Sequence, residues 1–469
     1  MAALKTKPAK LSETDVVEKD APLTPSEESL STPVADWTQE EERRLVRRLD
    51  LLIMPLLIAG FFVLQLDRGN IGNALTDFFF RDVGITQNQF NIGQQLLSVG
   101  IVLLETYSDM RQQIPSNYVL YRIGPSIWIS GQILAWGFVA TFQAFQKGLG
   151  AFLATRLLLG LCESGFIPAG LFTITRYYKR DETSKRFAFF FLGNMVAQAV
   201  SNLIAYGILH MRGIADLAGW QWLFLLEGLL TILVGIVFTL VFPRSTTNPI
   251  CLLGIRHFSE RETYIITQRV LLDDPTKAET RRSITWAEIK NVLTNWRLIP
   301  HVILTTCALA PVSTLWSYAP SLVNSFGYER LQSNALTSIG QWIALFMNLL
   351  WGYYSKNNRA RFAALTLAGG FGALFHPVNG SWMALNARTS GERSITMAVF
   401  IMAANCSGIV GSQIFQQQDR PLYRTGWTVM VSLLSLALVM ATLANVQYRV
   451  LNRRLRQRGQ LTEVTRYHY

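Results

Sequence analysis

Charge is what this sequence has least of. Only 16% of its 469 residues are Asp, Glu, Lys or Arg, while 50% are hydrophobic, a balance foreign to a water-soluble chain of this length. Cysteine and histidine are also scarce. The four cysteines, Cys162, Cys251, Cys307 and Cys406, include no CxxC pair, so neither a disulfide framework nor a metal site is indicated. The five histidines are dispersed, and no HExxH and no glycine-rich phosphate loop occurs, so no metal or cofactor is expected. An enzyme has no nucleophile, base and oxyanion arrangement to stand on. Residues 1–36 lack the apolar core of a secretory signal and are rich in Ser, Thr, Pro, Glu and Lys; they read as a disordered cytosolic tail. Barrel-type alternation is missing as well, which leaves helices as the only means of satisfying a backbone inside lipid.

Long apolar runs are what the sequence does have. Spans are expected at about 51–79, 88–105, 125–143, 146–171, 185–209, 220–242, 297–322, 333–355, 362–386, 393–415 and 425–446, each long enough to cross roughly 30 Å of hydrocarbon. The net charge of +12 sits beside helix ends rather than in one patch. Positive-inside bias accounts for it better than nucleic acid does. "EEERRLVRRLD" before the first span, "RVLNRRLRQRGQ" after the last and the link from Arg244 to Arg297 share that basic character and are assigned to the cytosol.

Thr38 and Glu41 have capping-box spacing, so a helix is expected to start at Trp37 or Thr38. The organisation is then a tail (1–36), a transmembrane bundle (37–243), a cytosolic linker (244–296), a second bundle (297–446) and a basic tail (447–469). Within the linker, "SERETYIITQRVLLDD" and "TWAEIKNVLTNW" carry apolar residues at helical spacing and suggest two surface helices. Two bundles of six spans around a central cavity is the plan of the major facilitator fold, an all-α membrane architecture with substrate bound at the midplane. By that count one span is missing, near residues 357–361.

A charge inside a span costs several kcal/mol unless it is paired or hydrated, so such residues are functional candidates. Asp67 and Arg68 follow nearly pure apolar helix, with Asn70 and Asn73 on the next turn. Arg156 and Glu163 lie seven residues apart, about two turns, and so on one face of the fourth span. Buried carboxylates can bind and release protons, while a buried guanidinium offers a planar fork to a carboxylate or sulfonate. The alternative is that Arg156 pairs with Glu163, and Asp67 with Arg68 or a neighbouring helix, simply holding the bundle together. Asn194 and Gln198 on the fifth span, with Asn379 and Asn405 in the second half, could hydrogen-bond a polar substrate or join helices.

"LDRGNIGNA", "RLLLGLCESGFIPAG", "YYKRDETSKRFAFFF", "LIAYGIL", "AGWQWLFLLEG", "LLGIRHFSERE", "TWAEIKNVLTNWR" and "GIVGSQIFQQQDRPLYRTG" occur in that order. Together they resemble the allantoate permease group of fungal anion:cation symporters, within the major facilitator superfamily, over about residues 37–455. The resemblance implies a proton-coupled importer of a small organic anion such as allantoate, nicotinate, pantothenate or a sulfonate. It assigns proton coupling to Asp67 and Glu163 and anion binding to Arg68 and Arg156, with protons as the only coupling ion. A receptor or scaffold that binds without moving its ligand, or a defective transporter, is the rival reading. Two departures stand out. The family runs from the second-span Glu105, a gating or structural candidate alongside Asn70 and Asn73, directly into "IPSN", so "TYSDMRQQ" (Thr106 to Gln113) looks like an insertion. A full ninth helix is also expected after the basic turn near Lys356. Both are either real divergence or errors in a gene model, with retained intron sequence at one place and lost coding sequence at the other. The expected location is the plasma membrane, with a cytosolic N-terminus.

Overall fold

The computed structural model describes residues 36–110, 125–245, 249–252, 254–273, 286–354, 379–380, 382–383, 385–387, 390–420, 422–458 and 467, and every regular element among them is helical. The first helix, α1 (Gln39–Ala74), opens on the expected box. The Glu41 N–H donates to the Thr38 hydroxyl at 3.2 Å, and the Thr38 N–H donates to the Glu41 carboxylate at 3.0 Å. A turn ends it at Phe78, a left-handed residue with φ 59°, and short α2 (Phe79–Val83) turns the chain back into α3 (Gln87–Met110). The first bundle continues with α4 (Pro125–Phe142), α5 (Gly148–Glu163), α6 (Phe166–Tyr177), α7 (Arg180–Leu209) and α8 (Gly219–Val241). The linker holds α9 (Glu260–Asp273) and α10 (Trp286–Leu293), and the second bundle α11 (Ile299–Ser325), α12 (Gln332–Tyr354), α13 (Ser390–Gly411) and α14 (Arg424–Gln457).

Ten of the eleven expected spans correspond to helix among the described residues. The fourth departs from expectation, because it is broken at Ser164 and Gly165 into α5 and α6. Pro168 explains the break, since it has no N–H to donate to the carbonyl four residues earlier. Most of the ninth span, the 1–35 part of the tail, the region near 357–361 and the Glu105 side chain lie outside the described residues. So does "TYSDMRQQ" beyond Met110; up to that point the inserted residues continue α3 rather than leaving it as a loop.

The outward sides of the helices are apolar, with Val431 at 62% and Leu438 at 71% exposure on α14, as lipid contact requires. Inside, small residues bring backbones together: a Cβ at Gly160 would meet the Leu97 carbonyl of α3. The linker helix α9 is more than a surface element. Its Arg269 is fully buried and donates to Glu42 at 3.2 Å, to Glu182 at 2.9 and 3.1 Å and to the Tyr177 carbonyl at 3.0 Å. Arg48 of α1 pairs with Glu262 beside it. Removing one member of such a buried network leaves the rest uncompensated, at a cost of about 3 kcal/mol. Arg269→Ala should therefore detach α9, and limited proteolysis of the linker should run at least tenfold faster than in the wild type; an unchanged rate would show that the network does not hold the helix.

Candidate functional site

Adjacent residues leave a helix about 100° apart, so Asp67 and Arg68 of α1 face different neighbours. Asp67 turns to α8 and accepts the Thr231 hydroxyl at 3.0 Å. Arg68 turns to α5, where its Nε donates to Glu163 at 2.6 Å, with Glu163 fully enclosed and Arg68 partly exposed. Thus Glu163 is engaged across the bundle, and the Arg156–Glu163 hydrogen bond that a purely structural role would call for is not formed. Arg156 has no accessible surface, and none of its three guanidinium nitrogens has a hydrogen-bond partner. The Phe152 ring lies 5.7 Å from its Cζ. A guanidinium has five N–H donors, and leaving all of them unmet in a dry interior costs several kcal/mol.

A third acid completes the cluster. Glu227 of α8 is 2% exposed, neither of its oxygens is hydrogen-bonded, and its polar neighbours are Asp67 and the Asn70 amide. Sequence reading passed over it, although an acid within "WLFLLEGLLTILVGIVF" meets the same criterion of cost that singled out Asp67. Thr231, one turn farther along α8, was missed as well, and a lone Thr gives no such signal.

The amides divide. Asn70 belongs to the cluster, and Asn73 reaches Ser201 of α7 at 3.5 Å. Gln198 donates to Asn194 on the same helix at 2.5 Å. Asn379 lies in the second bundle, where its Oδ1 is 2.6 Å from His301 Nδ1 and its amide donates to Thr305 at 2.9 Å, near the start of α11. Asn405 is half-buried on α13.

At the end of the molecule opposite the linker, the two bundles meet. Asp77, fully buried, accepts from Arg212 at 2.9 Å, from the Trp220 N–H at 2.9 Å and from Arg330 of the second bundle at 2.6 Å. Arg212 also holds Asp82 at 2.7 Å, and Asn334 donates to Thr76 at 2.9 Å. The guanidiniums of Arg81, Arg212 and Arg330 lie 4.7, 5.3 and 4.4 Å from the Phe78 ring. Deeper in, Asn91 donates to the Phe415 carbonyl at 2.9 Å, Tyr318 bonds Asn91, and Gln95 reaches the Ile409 carbonyl at 3.2 Å.

Two helical bundles joined at one face, with charged groups enclosed at mid-depth, are the plan of a facilitator. Residues 57–416 match the family model of the Major Facilitator Superfamily. The chain belongs to that superfamily. This facilitator is 29% identical over 450 residues to an uncharacterised transporter of Saccharomyces cerevisiae, covering 89% of the chain and 82% of the relative. It is 28% identical over 320 residues to a candidate tartrate transporter of Agrobacterium vitis, covering 68% and 69%. In fold it is similar to the crystal structure of a D-xylose–proton symporter, with a TM-score of 0.58 at 14% identity, over 83% of this chain and 97% of that one. The facilitator is a multi-pass membrane protein and a secondary transporter.

Proposed function

We propose that the facilitator imports a small organic anion together with a proton, by alternating access of its two bundles. The observation that carries this reading is Arg156, a fully enclosed guanidinium with no hydrogen-bond partner, near the two buried carboxylates Asp67 and Glu163. Such a group suits a ligand that brings its own negative charge and two oxygens. The allantoate permease resemblance supports the same class, and the tartrate named for one relative, though a dianion, is likewise a small carboxylate. Arg68 is the second cation of the site, and Asn194 and Gln198 supply hydrogen bonds to its polar parts.

In this reading the linker face is cytosolic, the protein lies in the plasma membrane, and the joined face is the outer gate, closed here. A proton taken up by Asp67 or Glu163 lowers local negative charge and favours the anion beside Arg156; its loss toward the cytosol favours release. Uptake of labelled nicotinate, pantothenate, allantoate and a sulfonate into cells lacking their own carriers tests this. Saturable accumulation that grows as the outside is acidified is expected, and binding without accumulation would overturn it. Asp67→Asn and Glu163→Gln should each abolish the pH-driven part; if both retain it, the coupling assignment fails.

A further inference from the structure

The deep cluster contains an odd charge. Arg68 and Arg156 supply two positive charges, while Asp67, Glu163 and Glu227 supply three negative ones, all of them enclosed except part of Arg68. A net charge in a low-dielectric interior is costly, and one proton on the carboxylates would remove it with no ligand bound. Geometry indicates where. Glu163 is held by Arg68 at 2.6 Å, a bond favouring the ionised form, while Asp67 lies 3.0 Å from the Thr231 hydroxyl, whose one proton it shares with the Glu227 backbone carbonyl, also at 3.0 Å. Glu227 receives no hydrogen bond on either oxygen.

Resting on the proton–anion reading above, we propose that Glu227 holds a resident proton and thereby sets the coupling at one proton per monovalent anion, with Asp67 as the mobile carrier. With Glu227 neutral, two guanidiniums balance Asp67 and Glu163. A monoanion entering beside Arg156 adds one negative charge, and one proton on Asp67 removes it. When the anion leaves, that proton leaves with it and Asp67 returns to the Thr231 hydroxyl. A dianion would require a second proton, and the remaining acid is Glu163, which would have to give up Arg68. The site is therefore matched to monovalent carboxylates.

The position of Glu227 fits this division of labour. It is four residues, about 6 Å, nearer the joined face than Thr231, so a proton arriving from that side passes Glu227 before Asp67. The charged groups around the pair are few. Asp67 faces Glu227 from α1, and Glu163 and Arg156 act on Asp67 from α5. α4 carries no charged residue, and those of α7 are confined to its first seven residues at the linker end.

The full-length protein, purified and reconstituted, decides the matter with two measurements. In infrared difference spectra of the ligand-free protein, the protonated-carboxyl band present near neutral pH should be lost in Glu227→Gln and in Glu227→Met and kept in Asp67→Asn. In proteoliposomes loaded against a pH gradient, nicotinate should accumulate about tenfold per pH unit in the wild type, as one proton per monoanion requires. The slope reads stoichiometry and not rate, so it should persist in both Glu227 variants even where their transport slows, while Asp67→Asn should be flat. A band that survives in both Glu227 variants, or a slope lost in both, overturns the proposal. The infrared result needs no substrate, so absence of nicotinate transport would count against the anion reading alone and leave the resident proton to stand or fall on its band.

Discussion

Arg156→Ala should abolish uptake. The side chain has no solvent to fall back on, and its loss leaves Asp67 and Glu163 without a nearby cation, while an anion of the proposed kind would meet an excess of negative charge. Removing one member of a buried charged network costs about 3–5 kcal/mol, which at about 1.4 kcal/mol per factor of ten means a fall of 100-fold or more in transport efficiency. Arg156→Lys keeps the charge and loses the planar fork, so an intermediate loss of about tenfold is expected. Initial rates across a concentration series, normalised to protein at the cell surface, separate these cases. Equal uptake by the Ala and Lys variants would remove bidentate capture, and wild-type uptake by Arg156→Ala would remove Arg156 from the site.

Opening the joined face is the second large effect. Arg330 to Asp77 is the one ion pair that crosses between the bundles among the described residues, and it shares its carboxylate with Arg212 and the Trp220 N–H. Arg330 is about one-third exposed and keeps some of its hydration. Breaking the bond is therefore worth about 1–2 kcal/mol, a shift of about 5- to 30-fold in the ratio of closed to open forms. Spin labels at Ile214→Cys and Leu422→Cys, one on each bundle at this face, should show a longer-distance population in Arg330→Ala and a larger one in Asp77→Asn. An unchanged distance distribution in both would show that apolar packing alone closes the gate.

The same labels test the effect of acid. Burial pushes the Asp82 carboxyl up, but hydrogen bonds from Arg212 and Trp220 outweigh it and hold the group below the usual carboxylate range. A depressed carboxylate contributes stability above its unfolded value and loses it only as pH falls through the folded one, here below about pH 4. The Arg212–Asp82 pair, which lies within the first bundle, should thus stay formed between about pH 5 and 7 and add no acid-driven change to the label distance.

Much of this was open to reading in the chain itself, for identifiable reasons. Span positions follow from apolar length, and the start of α1 from the Thr38 and Glu41 pair, because both are local. Asp67, Arg68, Arg156 and Glu163 announce themselves because each interrupts an apolar run. Their partners do not. Arg68 and Glu163 are 95 residues apart, and Arg330 and Asp77 are 253 apart, so which acid meets which base depends on helix rotation and on a turn at Phe78 that sequence pattern does not mark. The break at Ser164 and Gly165 needed the register of Pro168 to be followed through, and Glu227 was a local signal that went unread.

The asymmetry of the charges has a mechanical consequence. All five ionisable residues of the deep cluster stand on α1, α5 and α8, within one bundle. In the alternating access proposed above, these residues travel as one body, so their mutual distances and their mutual Coulomb energy stay the same on both sides of the membrane. Among the described residues, the stroke has to pull apart a single ionic contact, at the rim. A carrier wired in this way can reorient without stretching its own electrostatics.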